Sequence, residues 1–369
     1  MEPNIFPSNS TIDLSKKKVV KFGIDPTSDM LHLGHLIPLL QVQKLLDAGH
    51  NINIVLGTFT AQLGDPSGKD TMRPILDEQA TKKNADSILE QVQRILRGSF
   101  NVHFNHKWFE KMSAVEMLGI LSKFTTTQLL SRDSFQKRTN EGNPIGVHEL
   151  VVPVLQGMDS VFLGADIEIG GTDQLFNFAI TRDVQRAHNQ EPEVCMLMPI
   201  INGTDGRKMS KSFGNCIFLN DTPQDVFGKV MSISDELMKE WWPIFIDDKI
   251  NMKDPMQQKK RLALVITDKI WGYKDAMQSL EHFENTIQGD KIPEDIKEVK
   301  ITGEGLSILD AVMQIRNCSK NEARRLIGSN AVKVVFEDTS VKTVVSDSLV
   351  IVAPGIIIKV GKRDFGKII

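Results

Sequence analysis

The sequence predicts an α/β protein: a parallel sheet covered by helices, then a helical region, then a small mixed α+β tail. Three observations predict this. Short apolar runs of strand character alternate with helical periodicity from about residue 18 to residue 201, the pattern of parallel strands joined by crossover helices. From Thr222 to about Gln288 the 3.6-residue period continues with no strand-like run between its segments. From Ile301 onward short helices and β-like runs return, after a charged stretch over 289–300 that contains Pro293. The expected domains are 1–207, 208–300 and 301–369.

Each element has a local reason. Residues 1–16 are polar, carry Pro3 and Pro7, and read as a mobile lead-in. The first strand is expected at 18–24, in the run Val19-Val20-Lys21-Phe22-Gly23-Ile24. A helix follows over 31–48, where Leu36, Leu39, Leu40, Val42, Leu45 and Leu46 recur near the helical period, and Gly49 ends it. Strands are expected at 52–56, 102–104, 167–169 and 194–201, and helices at 77–96, 113–122, 126–136, 146–161 and 174–189, with a turn-rich loop at 138–143. The second region carries helices at 226–233, 235–244, 255–272 and 275–288. In the tail, helices are expected near 306–309 and 319–327. The second opens with Ser319 as cap and Glu322 at the reciprocal capping position. β-like runs at 332–336, 349–352 and 356–360 close the chain.

Composition narrows the class of protein. A net charge of −3 over 369 residues announces no global affinity for nucleic acid, so any RNA contact must come from a local basic patch. Cys195, Cys216 and Cys318 are too widely spaced for a metal-ligand pattern or a disulfide framework, which fits a reducing cytoplasm. No signal-like start and no long apolar run is present, so neither secretion nor a membrane span is expected. One count is unusual: 18 Phe and 4 Trp stand beside a single Tyr, Tyr273. Either the genome drifts against Tyr, or translation of this chain is kept independent of tyrosine supply. The Tyr frequency of the host's other proteins separates the two.

Two motifs carry chemistry. His32-Leu33-Gly34-His35 places two imidazoles at i and i+3 in the first turn of a helix that leaves a strand. A helix N-terminus offers free N–H groups and a positive dipole end, which suits phosphate. Gly34 between the histidines lets a ligand approach the backbone. Taken alone, the same residues describe a helix start with two surface histidines. Far downstream, Lys208-Met209-Ser210-Lys211-Ser212 lies in a polar loop between Asp205-Gly206-Arg207 and Phe213-Gly214-Asn215. Two lysines three residues apart can clamp a polyphosphate as point charges, or form no more than a solvated basic turn.

Together, and in this order, the two motifs resemble the HIGH and KMSKS signatures of class I aminoacyl-tRNA synthetases. Four further runs narrow the likeness: Phe22-Gly23-Ile24-Asp25-Pro26-Thr27, Leu63-Gly64-Asp65-Pro66-Ser67-Gly68-Lys69, Leu155-Gln156-Gly157-Met158-Asp159-Ser160 and Ile169-Gly170-Gly171-Thr172-Asp173-Gln174. With them the chain resembles the bacterial-type tyrosyl-tRNA synthetases from about Lys18 to its end. The resemblance implies a Rossmann-like catalytic domain, an α-helical anticodon-binding domain that begins with the lysine loop, and an S4-like RNA-binding domain. It also implies a start shorter than usual, without the family's extra N-terminal helix.

The implied reaction activates tyrosine with ATP and transfers it to tRNA(Tyr). By resemblance, His32 and His35 contact the nucleotide and its transferring phosphate, Lys208 and Lys211 stabilise the departing pyrophosphate, Lys69 and Arg73 close over it, and Thr27 bonds the γ-phosphate. Gly23, Asp25, Gly34, Asp173, Met209 and Ser210 belong to the ATP site. The amino-acid pocket takes Asp159 for the substrate phenol, Asp65 and Gln156 for its ammonium, and Lys21, Asn105 and Gln174 in the same region. Val152 and Met158 stand where the family usually has tyrosines. They either alter the amino acid chosen or share the chain's general avoidance of Tyr. Lys21 offers Asp159 an alternative partner to the substrate hydroxyl. Lys320, Arg324 and Arg325, with Lys362 and Arg363, either form the tRNA phosphate patch or are a solvated basic face. Mg²⁺ is expected with ATP and no tightly bound protein metal, and the resemblance implies a homodimer. Two other functions compete: a specialised paralogue with another amino acid or acceptor, and a non-catalytic RNA-binding regulator.

Overall fold

The structure of the protein is a computed structural model that describes residues 2–63, 77–250, 254–285, 296–300, 306–335, 341–344, 347, 350–351, 355–361 and 364–369. Asp65, Lys69, Arg73, Lys362 and Arg363 lie outside the described residues. The chain divides into two compact units, Met1–Ala276 and Met277–Ile369.

The first unit is built on a six-stranded sheet. In chain order its elements are β1 (Asn4–Phe6), β2 (Val19–Ile24), α1 (Leu33–Asp47), β3 (Asn51–Leu56), α2 (Thr60–Leu63), α3 (Glu78–Ile95), β4 (Asn101–Phe104), α4 (His106–Phe109), α5 (Ala114–Leu121), α6 (Thr126–Leu129), α7 (Asp133–Asn140), α8 (Val147–Leu163), β5 (Ile167–Gly171), α9 (Leu175–Ala187) and β6 (Val194–Met198). The strand order is β1-β6-β5-β2-β3-β4, parallel throughout except for β1. Buried on both faces, the central strands read as continuous apolar runs: all of β3 after Asn51 is buried. The helical segments α10 (Pro223–Met231), α11 (Asp235–Phe245) and α12 (Pro255–Trp271) follow, and α13 (Tyr273–Phe283) runs across the boundary between units.

Local chemistry sets the helix ends. Ser113, Thr222, Ser234 and Asp254 each accept a backbone N–H three residues on, as N-caps do. After α1, Gly49 takes a φ of 85°, a conformation open to glycine at little cost. The start of α8 is held by a buried pair: Arg138 donates to both oxygens of Glu149, at 2.6 and 3.1 Å, and Glu149 also accepts from Gly146 N.

Three local expectations change. The lead-in is not featureless, because Asn4–Phe6 pairs with β6 and Phe6 packs against Phe178, Cys195 and Leu197. The edge of β6 supplies backbone partners that three residues within a polar stretch cannot announce. The single helix expected over 126–136 is two, since Arg132 adopts an extended backbone between them. The loop expected at 138–143 begins inside α7, which runs to Asn140.

In the second unit are β7 (Lys297–Val299), β8 (Leu306–Ser307), α14 (Ile308–Arg316), α15 (Lys320–Gly328), β9 (Val332–Val335), β10 (Val341–Thr343), β11 (Val350–Ile351), β12 (Ile357–Val360) and β13 (Asp364–Ile368). Five strands form a sheet in the order β10-β9-β12-β13-β7, and β11 pairs with β8. Its core gathers Ile308, Val312, Ile327, Val332, Ile358 and Ile368. Ser319 caps α15 as expected, accepting from Glu322 N. Among the described residues, no helix is long and apolar enough to cross a membrane.

Candidate active site

The strand order reverses at β2: the chain moves from β2 outward to β3 and β4, then returns to place β5 on the other side. In such a sheet the crevice lies beyond the carboxyl ends of the strands at the reversal. A cleft of about 340 Å³ opens there. The end of β2 contributes Gly23, Asp25 and Thr27, the end of β5 contributes Gly170, Gly171 and Asp173, and the start of α1 contributes His32, Gly34 and His35. Lys208 and Met209 line it from the polar loop.

His32 is the N-cap of α1. Its Nδ1 accepts from Gly34 N at 3.2 Å, and His35 Nδ1 accepts from His32 N at 3.2 Å. A neutral imidazole that accepts at Nδ1 carries its hydrogen on Nε2, so each ring presents an N–H donor. Burial holds His32 down to about 2, helped by His35 and Lys211, and holds His35 down to about 4 with Lys211 adding. Both rings are neutral donors at physiological pH. With the free N–H groups of α1, they suit an oxyanion. No acidic residue occupies the first turn of α1 to oppose it.

The lysine loop is tied to α1. Leu33 N donates to Ile217 O, and Leu219 N donates to Leu31 O, both at 2.9 Å. The Asn215 amide organises the loop: it accepts from Ser210 N at 2.8 Å and donates to Lys208 O at 3.1 Å and Asp205 Oδ1 at 2.7 Å. Lys211 lies 3.9 Å from Asp29 and over the Phe218 ring. Burial pulls its pKa down against the attraction of Asp29. Lys208 is exposed, Met209 is buried and Ser210 lies between these extremes.

A smaller recess of about 130 Å³ adjoins the cleft through Gly23, Asp25 and Gln174, which line both. Cavities near 150 Å³ hold a single benzene ring, so this volume suits one aromatic ring. Lys21, Val152, Gln156 and Asp159 line it. On α8, positions 152, 156 and 159 follow the i, i+4, i+7 spacing of one helix face. Met158 falls on another face and packs with Ile180 and Val184; the 100° step between successive helical residues turns it from the recess.

Asp159 is buried. Its Oδ1 accepts from Trp108 Nε1 at 3.0 Å and its Oδ2 from Asn105 Nδ2 at 3.4 Å. Burial pushes its carboxyl up to about 7, against the pull of Lys21. Lys21 is not Asp159's ion-pair partner: its ammonium meets Glu168 at 2.9 Å, Gln156 O at 2.9 Å and Ser160 Oγ at 2.7 Å. The ladder explains this, because Lys21 on β2 stands directly opposite Glu168 on β5.

Three contributors were missed in the sequence. Trp108 anchors Asp159. Thr60 donates to Asp25 Oδ1 at 2.8 Å. Gly57 keeps the floor open, since a Cβ there would stand 1.9 Å from Asp25 Oδ1. The Asn105-to-Trp108 spacing, one turn apart after β4, was the available signal for the first; the others depend on strand pairing. In the second unit, Lys320, Arg324 and Arg325 are exposed on α15, and Arg324 pairs with Asp347 at 3.0 Å.

A model of the class I tRNA synthetases (W and Y) matches residues 15–289. The chain is 38% identical over 360 residues to a tyrosine–tRNA ligase of Aquifex aeolicus, covering 95% of this chain and 91% of that one. It is 38% identical over 366 residues to one of Thermotoga maritima, covering 95% and 90%. Among solved structures it resembles a truncated mitochondrial tyrosyl-tRNA synthetase of Coccidioides posadasii, with TM-score 0.62 at 20% identity over 76% of this chain and 88% of that one. A tyrosyl-tRNA synthetase of Archaeoglobus fulgidus complexed with L-tyrosine gives TM-score 0.55 at 20% identity, covering 72% and 90%. At these identities the two structures speak for the fold.

Proposed function

The chain belongs to the class I tRNA synthetases of the tryptophan and tyrosine family and is a tyrosine–tRNA ligase, and we propose that its described residues carry the reaction as follows. The tyrosine carboxylate attacks the α-phosphorus of ATP, the bond to the bridging oxygen breaks, and pyrophosphate leaves. A ribose hydroxyl of tRNA(Tyr) then attacks the adenylate carbonyl, and AMP leaves. Neither step needs a protein nucleophile, so catalysis is positioning and charge stabilisation.

The observation that carries this reading is the cleft at the reversal of strand order, with two neutral Nε2–H imidazoles at the start of α1 and a loop lysine lining the same space. ATP occupies the cleft, with Thr27, His32, His35 and Lys208 toward its phosphates and Asp25 and Asp173 toward adenylate and ribose. Lys211 joins Lys208 on the departing pyrophosphate. Mg²⁺ accompanies ATP as part of the substrate complex. Tyrosine fills the ring-sized recess, its phenol at Asp159 and its ammonium toward Gln156 and Gln174. Residues 208–300 and 301–369 serve as the anticodon-binding and S4-like RNA-binding regions.

The protein acts as a cytoplasmic homodimer. Exposed apolar side chains support the dimer: Val115 and Leu118 share one face of α5, and Val147 is 76% exposed at the start of α8.

Amino-acid-dependent ATP–pyrophosphate exchange across the standard amino acids tests the reading. Exchange with tyrosine alone is expected. Exchange with a different amino acid would make Val152, which lines the recess, a specificity switch; no exchange with any would leave a non-standard substrate or a regulator.

Replacing Lys320, Arg324 and Arg325 together by alanine is expected to weaken tRNA charging while leaving exchange unchanged. The slope of log affinity for tRNA against log salt should fall by about 2, if each lost phosphate contact contributes roughly 0.7–0.9. An unchanged salt slope would mark α15 as a solvated basic face.

A further inference from the structure

Behind the recess lies a buried ionisable cluster that the reaction above does not use. Lys21, Glu168 and Glu193 are each at most 1% exposed. The sheet brings them together. Lys21 on β2 stands opposite Glu168 on β5, and Glu168 stands opposite Cys195 on β6. Glu193 precedes Cys195 by two residues, so the pleat puts both on the same face. Its side chain comes within hydrogen-bonding reach of Glu168.

Counted as two carboxylates and one ammonium, this cluster would bury a net negative charge, which is costly. Its hydrogen bonding would also be incomplete. Glu168 Oε1 accepts from Lys21 Nζ and from Gln156 Nε2 at 3.2 Å. Treated as ionised, however, Glu168 Oε2 is buried with no donor among the described residues, and the buried Glu193 carboxyl has the Ser160 hydroxyl as its side-chain donor, too little for two charged oxygens. One proton on Glu193 removes both faults. It makes the cluster neutral and turns one Glu193 oxygen into a donor for Glu168 Oε2.

We propose that Glu168 and Glu193 share one proton, and that this carboxyl pair is a positioning device for the amino-acid recess. Glu168 is thereby held between Glu193 on one side and Lys21 and Gln156 on the other. Lys21 in turn fixes the Gln156 backbone carbonyl at 2.9 Å. The Gln156 side chain is bounded at both ends, because Asn177 Nδ2 donates to Gln156 Oε1 at 3.0 Å and to Gln174 Oε1 at 2.9 Å. The pair therefore acts on the substrate through two amides that line the recess. Loss of the shared proton leaves two charged carboxylates around one lysine, and the Glu168–Gln156 contact loosens.

The charged and titratable groups around Glu193 favour this state. Burial, then the neighbouring Glu168, hold the Glu193 carboxyl well above the usual range, against Lys21 and the Ser160 hydroxyl. Burial also pushes the Cys195 thiol up, with Glu193 and Glu168 adding to it. Arg182 on α9 spends a guanidinium nitrogen on the Glu193 backbone carbonyl. Asp159 on α8 faces the cluster only through its attraction to Lys21.

The positioning half rests on assigning the recess to tyrosine, so the experiment separates the two. Infrared spectra of the full-length protein with ¹³C-carboxyl glutamate should show a protonated glutamate carbonyl band at neutral pH that Glu193→Gln removes. Over the alkaline range in which that band fades, the wild-type KM for tyrosine in pyrophosphate exchange should rise with kcat unchanged. In Glu193→Gln, whose amide remains a neutral donor to Glu168, that rise should be missing. Gln156→Ala should raise the tyrosine KM roughly tenfold or more, as loss of a hydrogen bond to a charged ammonium does.

Absence of the band in the wild-type protein would overturn the shared proton whether or not the variant folds. A band without the pH-dependent KM, or with an equal rise in Glu193→Gln, would overturn the positioning role. An unchanged KM in Gln156→Ala would instead remove the recess assignment, and the positioning role with it, while the band still decides the proton.

Discussion

Replacing His35 by alanine slows tyrosyl-adenylate formation by on the order of a hundredfold to a thousandfold, the usual effect of deleting one preorganised donor to developing negative charge. The side chain has two functions of unequal size. Its Nδ1 accepts from His32 N and so helps cap α1, a contribution of about 1 kcal/mol to stability. Its Nε2–H is, in the proposed reaction, the donor offered to the transferring phosphate. Thermal unfolding should therefore fall by only a few degrees while single-turnover adenylate formation collapses. The tyrosine KM should be little changed, since His35 does not line the recess. A loss of activity no larger than the loss of folded protein would remove His35 from the chemistry.

The pH dependence follows from the same burial. The imidazoles, held near 2 for His32 and near 4 for His35, stay neutral in the fold where an unfolded histidine would protonate near 6.5. The unfolded chain thus binds more protons below about 6.5, so these two groups make stability fall as pH drops from there toward 4. Alanine at His35 should flatten part of that slope in pH-dependent denaturation.

Replacing Asp159 by alanine is expected to lower the preference for tyrosine over phenylalanine in pyrophosphate exchange by on the order of a hundredfold to a thousandfold. Sites built to bond a substrate hydroxyl reject its absence strongly, because a buried polar group is then left unpaired. Asp159 is such a group: it is 4% exposed and held by the Trp108 indole N–H and the Asn105 amide. In the variant, phenylalanine meets no buried carboxyl with acceptor positions left open, and tyrosine loses its acceptor. The carboxyl titrates near 7 in the free protein. A phenol that donates to it favours the ionised form, so the wild-type preference for tyrosine should increase as pH rises from 6 to 8, and this increase should vanish in Asp159→Ala. Equal phenylalanine rejection by wild type and variant would place the phenol elsewhere.

How far the site could be read from the residues varied with range. The two histidines, the lysine loop and the turn after β5 stood out because each lies within a few residues of a strand or helix end, where local pattern suffices. Val152, Gln156 and Asp159 could be grouped because one helix face spaces them. Met158 could not be excluded from that group until its packing partners on α9 were known. Lys21 lines the recess, but its ion-pair partner is Glu168 rather than Asp159, 147 residues away on another strand and out of reach of local pattern.

The amino-acid sequence by itself determined the alternation of strands and helices, the cap of α15 and the glycine stop after α1, and the positions where phosphate chemistry concentrates. These rest on interactions within a turn or two, and on burial patterns of period 2 and 3.6 that any reader of the chain can count. Only the tertiary structure decided the rest: that Asn4–Phe6 closes the sheet edge, that Trp108 fixes Asp159, and that Glu168 and Glu193 meet behind the recess. The pleat of a strand states which face a side chain occupies but not which strand lies beside it. Those partners are set by the order and register of the sheet, which the packing of the whole unit selects.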